Sequence, residues 1–201
     1  MVVHDLASRC GLSVPNAELK TFSKHGSTFL SQRFDRASSR RIHFASAMTL
    51  LGKTDGMAAA EGVSYLDLAE FIRANGAQPK QDLEELWRRI VFNMAVSNTD
   101  DHLRNHGFLL TANGWFISPM YDVNPVPEGN VLALNVTDTD NSISFDLAIE
   151  TASFYGLSKD KGSHIVNQTV SLVKENAEAI AHHYGIKRSE FDRIRPAFFD
   201  L

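Results

Sequence analysis

The spacing of apolar residues predicts a chain built mainly from helices. The clearest repeat covers residues 81–96, where apolar side chains recur every three or four positions, as in an amphipathic helix. In this segment the pairs Glu84–Arg88 and Glu85–Arg89 have the spacing of ion pairs on the outer face of a helix. Further helices are predicted over residues 4–10, 42–51, 64–74, 145–155 and 163–184, with a short one within 188–201.

Two short β-hairpins are predicted between these helices. Residues 19–22 and 28–34 have strand-like composition and flank a loop that contains Gly26. Residues 108–110 and 115–118 flank the pair Asn113-Gly114, which is a strong signal for a tight hairpin turn. The stretch 122–144 has no regular pattern. We therefore predict a single α+β domain that is mostly helical and carries two small β-hairpins.

The composition narrows the class of protein. The 201 residues suit one domain, and the single cysteine, Cys10, excludes an intramolecular disulfide bond. No apolar run is long enough to cross a bilayer, and Asp5 and Arg9 interrupt the segment where a signal peptide needs an apolar core. We therefore expect a cytoplasmic protein without membrane contact. A net charge of −4 disfavours non-specific nucleic-acid binding unless basic residues cluster in a local patch, and no direct nucleic-acid contact is expected.

Charge is distributed unevenly along the chain. Residues 1–56 contain eight Lys and Arg against four Asp and Glu, whereas residues 105–158 contain six acidic residues and no Lys or Arg. An acidic stretch is either a solvated face or a surface suited to a cation. The motifs within and beside this stretch favour the second interpretation.

A catalytic arrangement is indicated where the strongest predicted helix ends. The segment Asp100-x-x-x-x-Asn105 is followed by the Asn113-Gly114 hairpin and then by Asp122, which is the order of parts in the catalytic lobe of a protein kinase. Asp100 would accept the proton of a hydroxyl nucleophile, and Asn105 and Asp122 would give Mg²⁺ the oxygen ligands that it prefers. Taken singly, each of these residues is also a common turn or capping residue. Their combined order favours phosphoryl transfer.

Three motifs in this chain resemble those of the HipA-type toxin kinases. The segment Asn98-x-Asp100-Asp101-His102-x-x-Asn105-His106-Gly107-Phe108 resembles their catalytic loop. Ser118-Pro119-x-Tyr121-Asp122 resembles their metal-binding segment, and Gln32-Arg33-Phe34-Asp35-Arg36 resembles their hinge, although the family commonly has Glu where this chain has Gln32. The resemblance extends from about Asp5 to the C-terminus.

The resemblance implies a kinase-like C-terminal lobe that uses ATP and Mg²⁺. It gives Asp100 the catalytic role and makes Asn105 and Asp122 the metal ligands. The residues that it places near the nucleotide are Gln32, Arg33, Phe34, His102, Arg104, Asn105, Tyr121 and Asp122. It further implies a helix-turn-helix antitoxin as partner and a protein substrate of the translation machinery, such as an aminoacyl-tRNA synthetase.

The lobe that grips ATP in this family is expected to be largely missing from this chain. Family members are longer at the N-terminus, where they carry a glycine-containing phosphate loop and a lysine, whereas the glycines of this chain are scattered singly. Residues 1–36 would be the remnant of the N-lobe with the hinge, and residues 37–201 the helical lobe. Two hypotheses follow: a kinase lobe completed by a separate N-lobe chain, or an inactive remnant that binds an antitoxin or another partner. A metal-dependent phosphohydrolase is a third, and activity of the isolated chain is expected to be absent or very weak.

Overall fold

The structure is a computed structural model that describes residues 1–24, 26–38 and 40–199. The chain is 46% helical. Its α-helices are α1 (Val2–Arg9), α2 (Ala47–Leu50), α3 (Tyr65–Asn75), α4 (Pro79–Ala95), α5 (Phe145–Thr151), α6 (Lys159–His183), α7 (Arg188–Ile194) and α8 (Pro196–Phe199). Its strands are β1 (Ala17–Ser23), β2 (Gly26–Ser31), β3 (Arg36–Ala37), β4 (Arg40–Arg41), β5 (His43–Ser46), β6 (Gly107–Thr111) and β7 (Gly114–Ile117). Among the described residues, no helix is both long and apolar enough to cross a membrane.

Helix α4 is the centre of the main core, as its apolar repeat predicts. Proline at its first position suits a helix start, because the missing N–H would have no partner there. Leu86, Trp87 and Ile90 are fully buried, and the Trp87 indole N–H donates to the Ala148 carbonyl at 3.0 Å. Helices α3, α5 and α6 pack around this helix. The helices predicted over residues 4–10, 64–74, 81–96, 145–155 and 163–184 are confirmed, with ends shifted by up to four residues.

One detail of the α4 prediction is wrong. Both ion pairs form, at 3.2 Å for Glu84–Arg88 and 2.8 Å for Glu85–Arg89, but only the first lies on an outer face. The Arg89 side chain is 1% exposed, and its guanidinium also donates to the Ser118 carbonyl at 2.6 Å. Arg89 therefore joins α4 to the chain that follows β7.

The prediction of a helix over residues 42–51 is also wrong in its first half. Residues His43–Ser46 form strand β5, which pairs antiparallel with β6, and only Ala47–Leu50 form the helix α2. The Ser46 side chain accepts the Thr49 N–H and so caps α2, which explains the change of structure at this residue. The second predicted hairpin, β6–β7, is therefore part of a three-stranded sheet in the order β5-β6-β7.

The first predicted hairpin stands apart from the core. Strand β1 pairs with β2 antiparallel, from Ala17 opposite Ser31 onwards, and the strand ends at Ser31, before the predicted end at residue 34. Most residues of both strands are exposed, including Phe22 at 71% and Phe29 at 45%. A two-stranded hairpin without a packed face is marginal in water. The hairpin therefore presents an exposed sheet edge.

The irregular stretch after residue 122 is held by side-chain hydrogen bonds. Asn135 is 3% exposed, and its amide donates to the Ala59 carbonyl at 2.9 Å. Its backbone forms a bridge with Ser64, at the start of α3. The stretch is thus fixed against α3 without forming helices or strands of its own.

Candidate functional site

The first arm of the candidate site is the acidic loop, residues 96–106, which connects the end of α4 to β6. Asp100 is exposed, whereas Asn105 is 6% exposed. The Asn105 side-chain amide donates to the Asp100 carbonyl at 3.0 Å. This bond commits the nitrogen end of Asn105 to the loop, so that its carbonyl oxygen is the end suited to a hard cation.

The buried centre of the acidic loop is Asp101, which the sequence left without a role. Its Oδ2 accepts hydrogen bonds from the Tyr65 hydroxyl at 2.8 Å, the Asn93 amide at 2.6 Å and the His106 Nε2 at 2.9 Å. All four side chains are buried. The loop is therefore tied to α3, to α4 and to the start of β6. One signal was available: Asn93 is a polar residue that follows Leu86 and Ile90 along the apolar face of α4.

The second arm is the Asp122 segment, residues 118–126, which follows β7. The Tyr121 hydroxyl donates to the Arg104 carbonyl at 2.6 Å. This contact joins the residue before Asp122 to the residue before Asn105, and so brings the two predicted metal ligands to adjacent places in the fold. Asp122 has a positive φ of 54°, and its Oδ1 accepts from the Asn124 side chain at 3.0 Å.

Two tyrosines at the site remain protonated donors over the physiological pH range. Burial raises the pKa of Tyr121 to about 12. Burial and the neighbouring Asp101 carboxylate raise the pKa of Tyr65 well above its usual value. A protonated phenol is the form that donates a hydrogen bond. Both contacts, to the Arg104 carbonyl and to Asp101, are therefore stable near neutral pH.

Of the predicted hinge residues, Phe34 lies beside the Asp122 segment. The Phe34 ring centroid is 5.8 Å from that of Tyr121 and 5.9 Å from that of Phe44. Arg33 is exposed and pairs with Asp35 at 2.6 Å, and the Gln32 side chain accepts from Asn16 at 3.0 Å. The structure thus brings Phe34 next to Tyr121, whereas the side chains of Arg33 and Gln32 contact other neighbours.

His102 and Arg104 lie on the outer part of the acidic loop. An Arg104 guanidinium nitrogen is 3.4 Å from His102 Nε2, and the same guanidinium forms an ion pair with Asp55. Within the described chain, His102 Nδ1 is buried without a hydrogen-bond partner. Asp55 was not among the predicted site residues, since it lies in a turn 49 residues away in sequence.

The donor groups present suit magnesium better than a transition metal. Nowhere in the described ranges do three His, Cys, Asp or Glu side chains converge in a way that would hold a metal ion. Mg²⁺ is commonly held by one or two protein oxygens together with water and substrate phosphates. The amide oxygen of Asn105 and the carboxylate of Asp122 fit that pattern, and neither is a soft ligand.

A cavity of about 520 Å³ lies next to the Asp122 segment. Helix α1, strand β2 and helix α8 line it, and Met120, Asp122 and Phe29 face it from different sides. Its volume is that of a small-molecule pocket, and its walls are largely apolar. Nothing in the sequence predicted it, since its walls come from the two ends and the middle of the chain.

Comparison with known proteins identifies relatives of this chain. Residues 1–180 match the family model described as the HipA-like C-terminal domain. A candidate kinase of Sinorhizobium fredii named Y4mE is 32% identical over 127 residues, which cover 59% of this chain and 30% of the relative. A candidate kinase of Haemophilus influenzae is 30% identical over 132 residues, which cover 59% of this chain and 38% of the relative. The matched part is thus about a third of each relative's length.

Solved structures share the fold at low identity. HipA of Shewanella oneidensis MR-1, solved in a complex with HipB and its operator DNA, superposes with a TM-score of 0.79 at 20% identity. That match covers 98% of this chain and 52% of the HipA chain. The proinflammatory kinase CtkA of Helicobacter pylori gives a TM-score of 0.58 at 14% identity, over 99% of this chain and 84% of that chain. The predicted α+β, kinase-like C-terminal lobe is confirmed.

Proposed function

Because the chain belongs to the HipA-like C-terminal domain family, we propose that it is the C-terminal lobe of a serine/threonine protein kinase. The contact that supports this most directly is the hydrogen bond from Tyr121 to the Arg104 carbonyl. It holds the Asp122 segment against the acidic loop, which supports a site shared by Asp100, Asn105 and Asp122. Phosphoryl transfer requires a base and metal ligands that act together on the same substrate.

In the proposed reaction, a serine or threonine hydroxyl attacks the γ-phosphorus of ATP. The new O–P bond forms as the bond to the ADP oxygen breaks, and the hydroxyl proton passes to the exposed carboxylate of Asp100. Asn105 and Asp122 would hold Mg²⁺, which supplies charge neutralisation at the phosphates. Phe34, beside Tyr121, would contact the adenine side of the nucleotide, with His102 and Arg104 nearer the phosphates.

The proposed kinase needs a second lobe to hold the ATP phosphates. The twelve glycines of this chain are scattered singly, and none of them forms a glycine-rich phosphate loop. Phe22 and Phe29 on the β1–β2 hairpin are 71% and 45% exposed, and an unpaired hairpin edge accepts a further strand readily. We therefore propose that a polypeptide supplying the N-lobe docks on this hairpin.

The other proposed partners rest on the family. The HipA of Shewanella oneidensis was solved with HipB and operator DNA, and a helix-turn-helix antitoxin is proposed as the corresponding partner of this chain. A hydroxyl-bearing protein of the translation machinery is proposed as the substrate, and the cytoplasm as the compartment.

The second candidate is a binding protein without catalysis, and the exposed Phe22 and Phe29 of the β1–β2 hairpin favour it, since exposed apolar side chains suit a partner surface. Positioning and charge stabilisation account for most of phosphoryl-transfer catalysis. A lobe with only a base and two metal ligands would bind partners but turn over very slowly. The two candidates differ in one measurable property, the affinity for Mg²⁺–ATP.

Calorimetric titration of the chain with Mg²⁺–ATP separates the candidates, with and without a co-purified N-lobe polypeptide. The kinase proposal predicts binding that Asp122→Asn weakens at least tenfold, together with transfer of labelled phosphate that Asp100→Ala abolishes. Asp138→Asn, at an exposed acid away from both arms, serves as the charge-matched control and should change neither. Absence of nucleotide binding in every preparation would leave the binding protein as the function.

A further inference from the structure

Besides the Tyr121 hydrogen bond, two backbone amides of the Asp122 segment donate to the acidic loop. The Val126 N–H donates to the Ser97 carbonyl at 2.9 Å, and the Asn124 N–H donates to the Asn98 side-chain oxygen at 3.4 Å. A Cβ atom at Gly129 would lie 2.4 Å from the Thr99 side chain, so only glycine allows this close approach of the chain after the Asp122 segment. The arms are therefore closely packed along residues 97–99.

Asn98 is a side chain of the acidic loop that contacts both α4 and the Asp122 segment. It is 1% exposed, and its Nδ2 donates to the Asn93 side-chain oxygen at 3.0 Å, while its Oδ1 accepts from the Asn124 N–H. Both ends of its amide are thus engaged, one toward each arm. A buried amide with a satisfied donor and acceptor orients both of its partners.

The contacts of Asn98 continue in both directions. On one side, the Asn93 amide donates to Asp101, the buried centre of the acidic loop, at 2.6 Å. On the other side, the Asn124 side chain donates to the Asp122 carboxylate at 3.0 Å. A path of hydrogen-bonded residues therefore runs from Asp101 to Asp122, and Asn98 lies in its middle.

We propose that Asn98 is a positioning residue that couples the acidic loop to the Asp122 segment, so that the two arms of the site are ordered or lost together. The importance of this coupling for phosphoryl transfer rests on the proposed function. The coupling itself is a property of the folded chain and needs no ligand.

Unusual backbone conformations in both arms of the site, at Ser97 and at Asp122, support the coupling. Ser97 has φ of 46° and Asp122 has φ of 54°, both in the left-handed region that side chains other than glycine rarely adopt. Such conformations persist where the surrounding structure holds them. Each arm thus contains one residue with a positive φ. The one in the acidic loop, Ser97, also takes part in a contact between the arms, because its carbonyl accepts the Val126 N–H.

Hydrogen exchange of the full chain tests the coupling directly. In Asn98→Ala, we expect the amides of Asn124 and Val126 to exchange at least tenfold faster, with little change in the amides of α4. Asn135→Ala is the matched control, because Asn135 is equally buried and hydrogen-bonded but contacts neither arm. That variant should leave both reporter amides within twofold of the wild type.

A second variant covers the case in which Asn98→Ala does not fold. In Asn98→Ser the shorter side chain does not reach the Asn124 N–H, so the same acceleration is expected at Asn124. Exchange at Asn124 and Val126 within twofold of the wild type in the folded variants would overturn the proposal. Equal acceleration in Asn135→Ala would do the same, since it would indicate general loosening.

Nucleotide titration then distinguishes the coupling from the proposed function. If both are right, Asn98→Ala weakens Mg²⁺–ATP binding at least fivefold, although Asn98 is not a proposed ligand, and Asn135→Ala does not. Binding equal to the wild type in a variant with accelerated exchange would contradict a positioning role. If the wild type binds no nucleotide either alone or with the N-lobe polypeptide, while exchange responds as expected, the coupling stands and the kinase proposal fails.

Discussion

At the scale of single residues, the adjacent aspartates Asp100 and Asp101 have opposite environments. Asp100 is exposed, whereas Asp101 is 3% exposed and accepts three hydrogen bonds. Exposed carboxylates contribute little to stability, and removing a buried hydrogen-bonded charge is costly. A substitution at Asp100 should therefore affect catalysis and leave stability nearly unchanged, whereas a substitution at Asp101 should lower the stability of the fold.

We expect Asp101→Asn to lower the free energy of unfolding by about 2–4 kcal/mol, because a neutral amide oxygen is a weaker acceptor for three donors than the carboxylate oxygen that it replaces. Asp100→Asn should change it by less than about 0.5 kcal/mol. Urea denaturation followed by far-UV circular dichroism measures both. Equal stability of the two variants would contradict the role of Asp101 as the buried centre of the acidic loop. A large loss of stability in Asp100→Asn would contradict the exposed position of Asp100.

At the scale of elements, the sequence predicted correctly those helices and turns that a short segment of the chain determines by itself. Helix α4 and the β6–β7 turn follow from the local apolar repeat and from Asn113-Gly114, and Asp100, Asn105 and Asp122 stand in recognisable motifs. The local pattern predicts a helix where strand β5 forms, because the pairing of β5 with β6 joins residues more than 60 positions apart. The cavity and the Tyr65 contact of Asp101, which joins residues 36 positions apart, depend on distant partners in the same way. Asn93 and His106 lie within eight positions of Asp101, and of these only Asn93 left a signal in the local pattern.

Two neighbouring arginines of helix α4 allow the contribution of a distant contact to stability to be compared with that of a local ion pair. Arg89 is buried and binds both Glu85 and the Ser118 carbonyl, whereas Arg88 is partly exposed and binds Glu84. Arg89→Met should lower the free energy of unfolding by about 3 kcal/mol, since it leaves a partly buried Glu85 without its cation. Arg88→Met, one position along, should cost less than about 1 kcal/mol.

Thermal and urea denaturation of both variants measure this difference. Because Ser118 begins the Asp122 segment, amide exchange of that segment should also accelerate in Arg89→Met and not in Arg88→Met. Similar losses in the two variants would mean that the buried contact to Ser118 adds nothing beyond an ordinary ion pair of a helix surface.

At the scale of the whole molecule, all four tyrosines of the chain have a raised pKa. Burial is the largest cause of a raised pKa at each of them, with Tyr121 and Tyr184 at about 12 and Tyr65 and Tyr155 raised as well. They lie in both apolar clusters and at the candidate site, so their ionisation reports on the packing of the entire fold.

A raised pKa in the folded state means that folding favours the neutral phenol. This contribution to stability is complete below the pKa of the unfolded chain, near about 10, and is lost as the pH rises through about 12. We therefore expect the folded chain at pH 10 to give less than about a tenth of the tyrosinate absorbance of the urea-unfolded chain, which should be about half ionised. Alkaline unfolding, followed by circular dichroism, should coincide with the rise in absorbance. Half-ionised tyrosines in a chain that is still folded at pH 10 would contradict the buried phenols on which the Asp101 and Arg104 contacts depend.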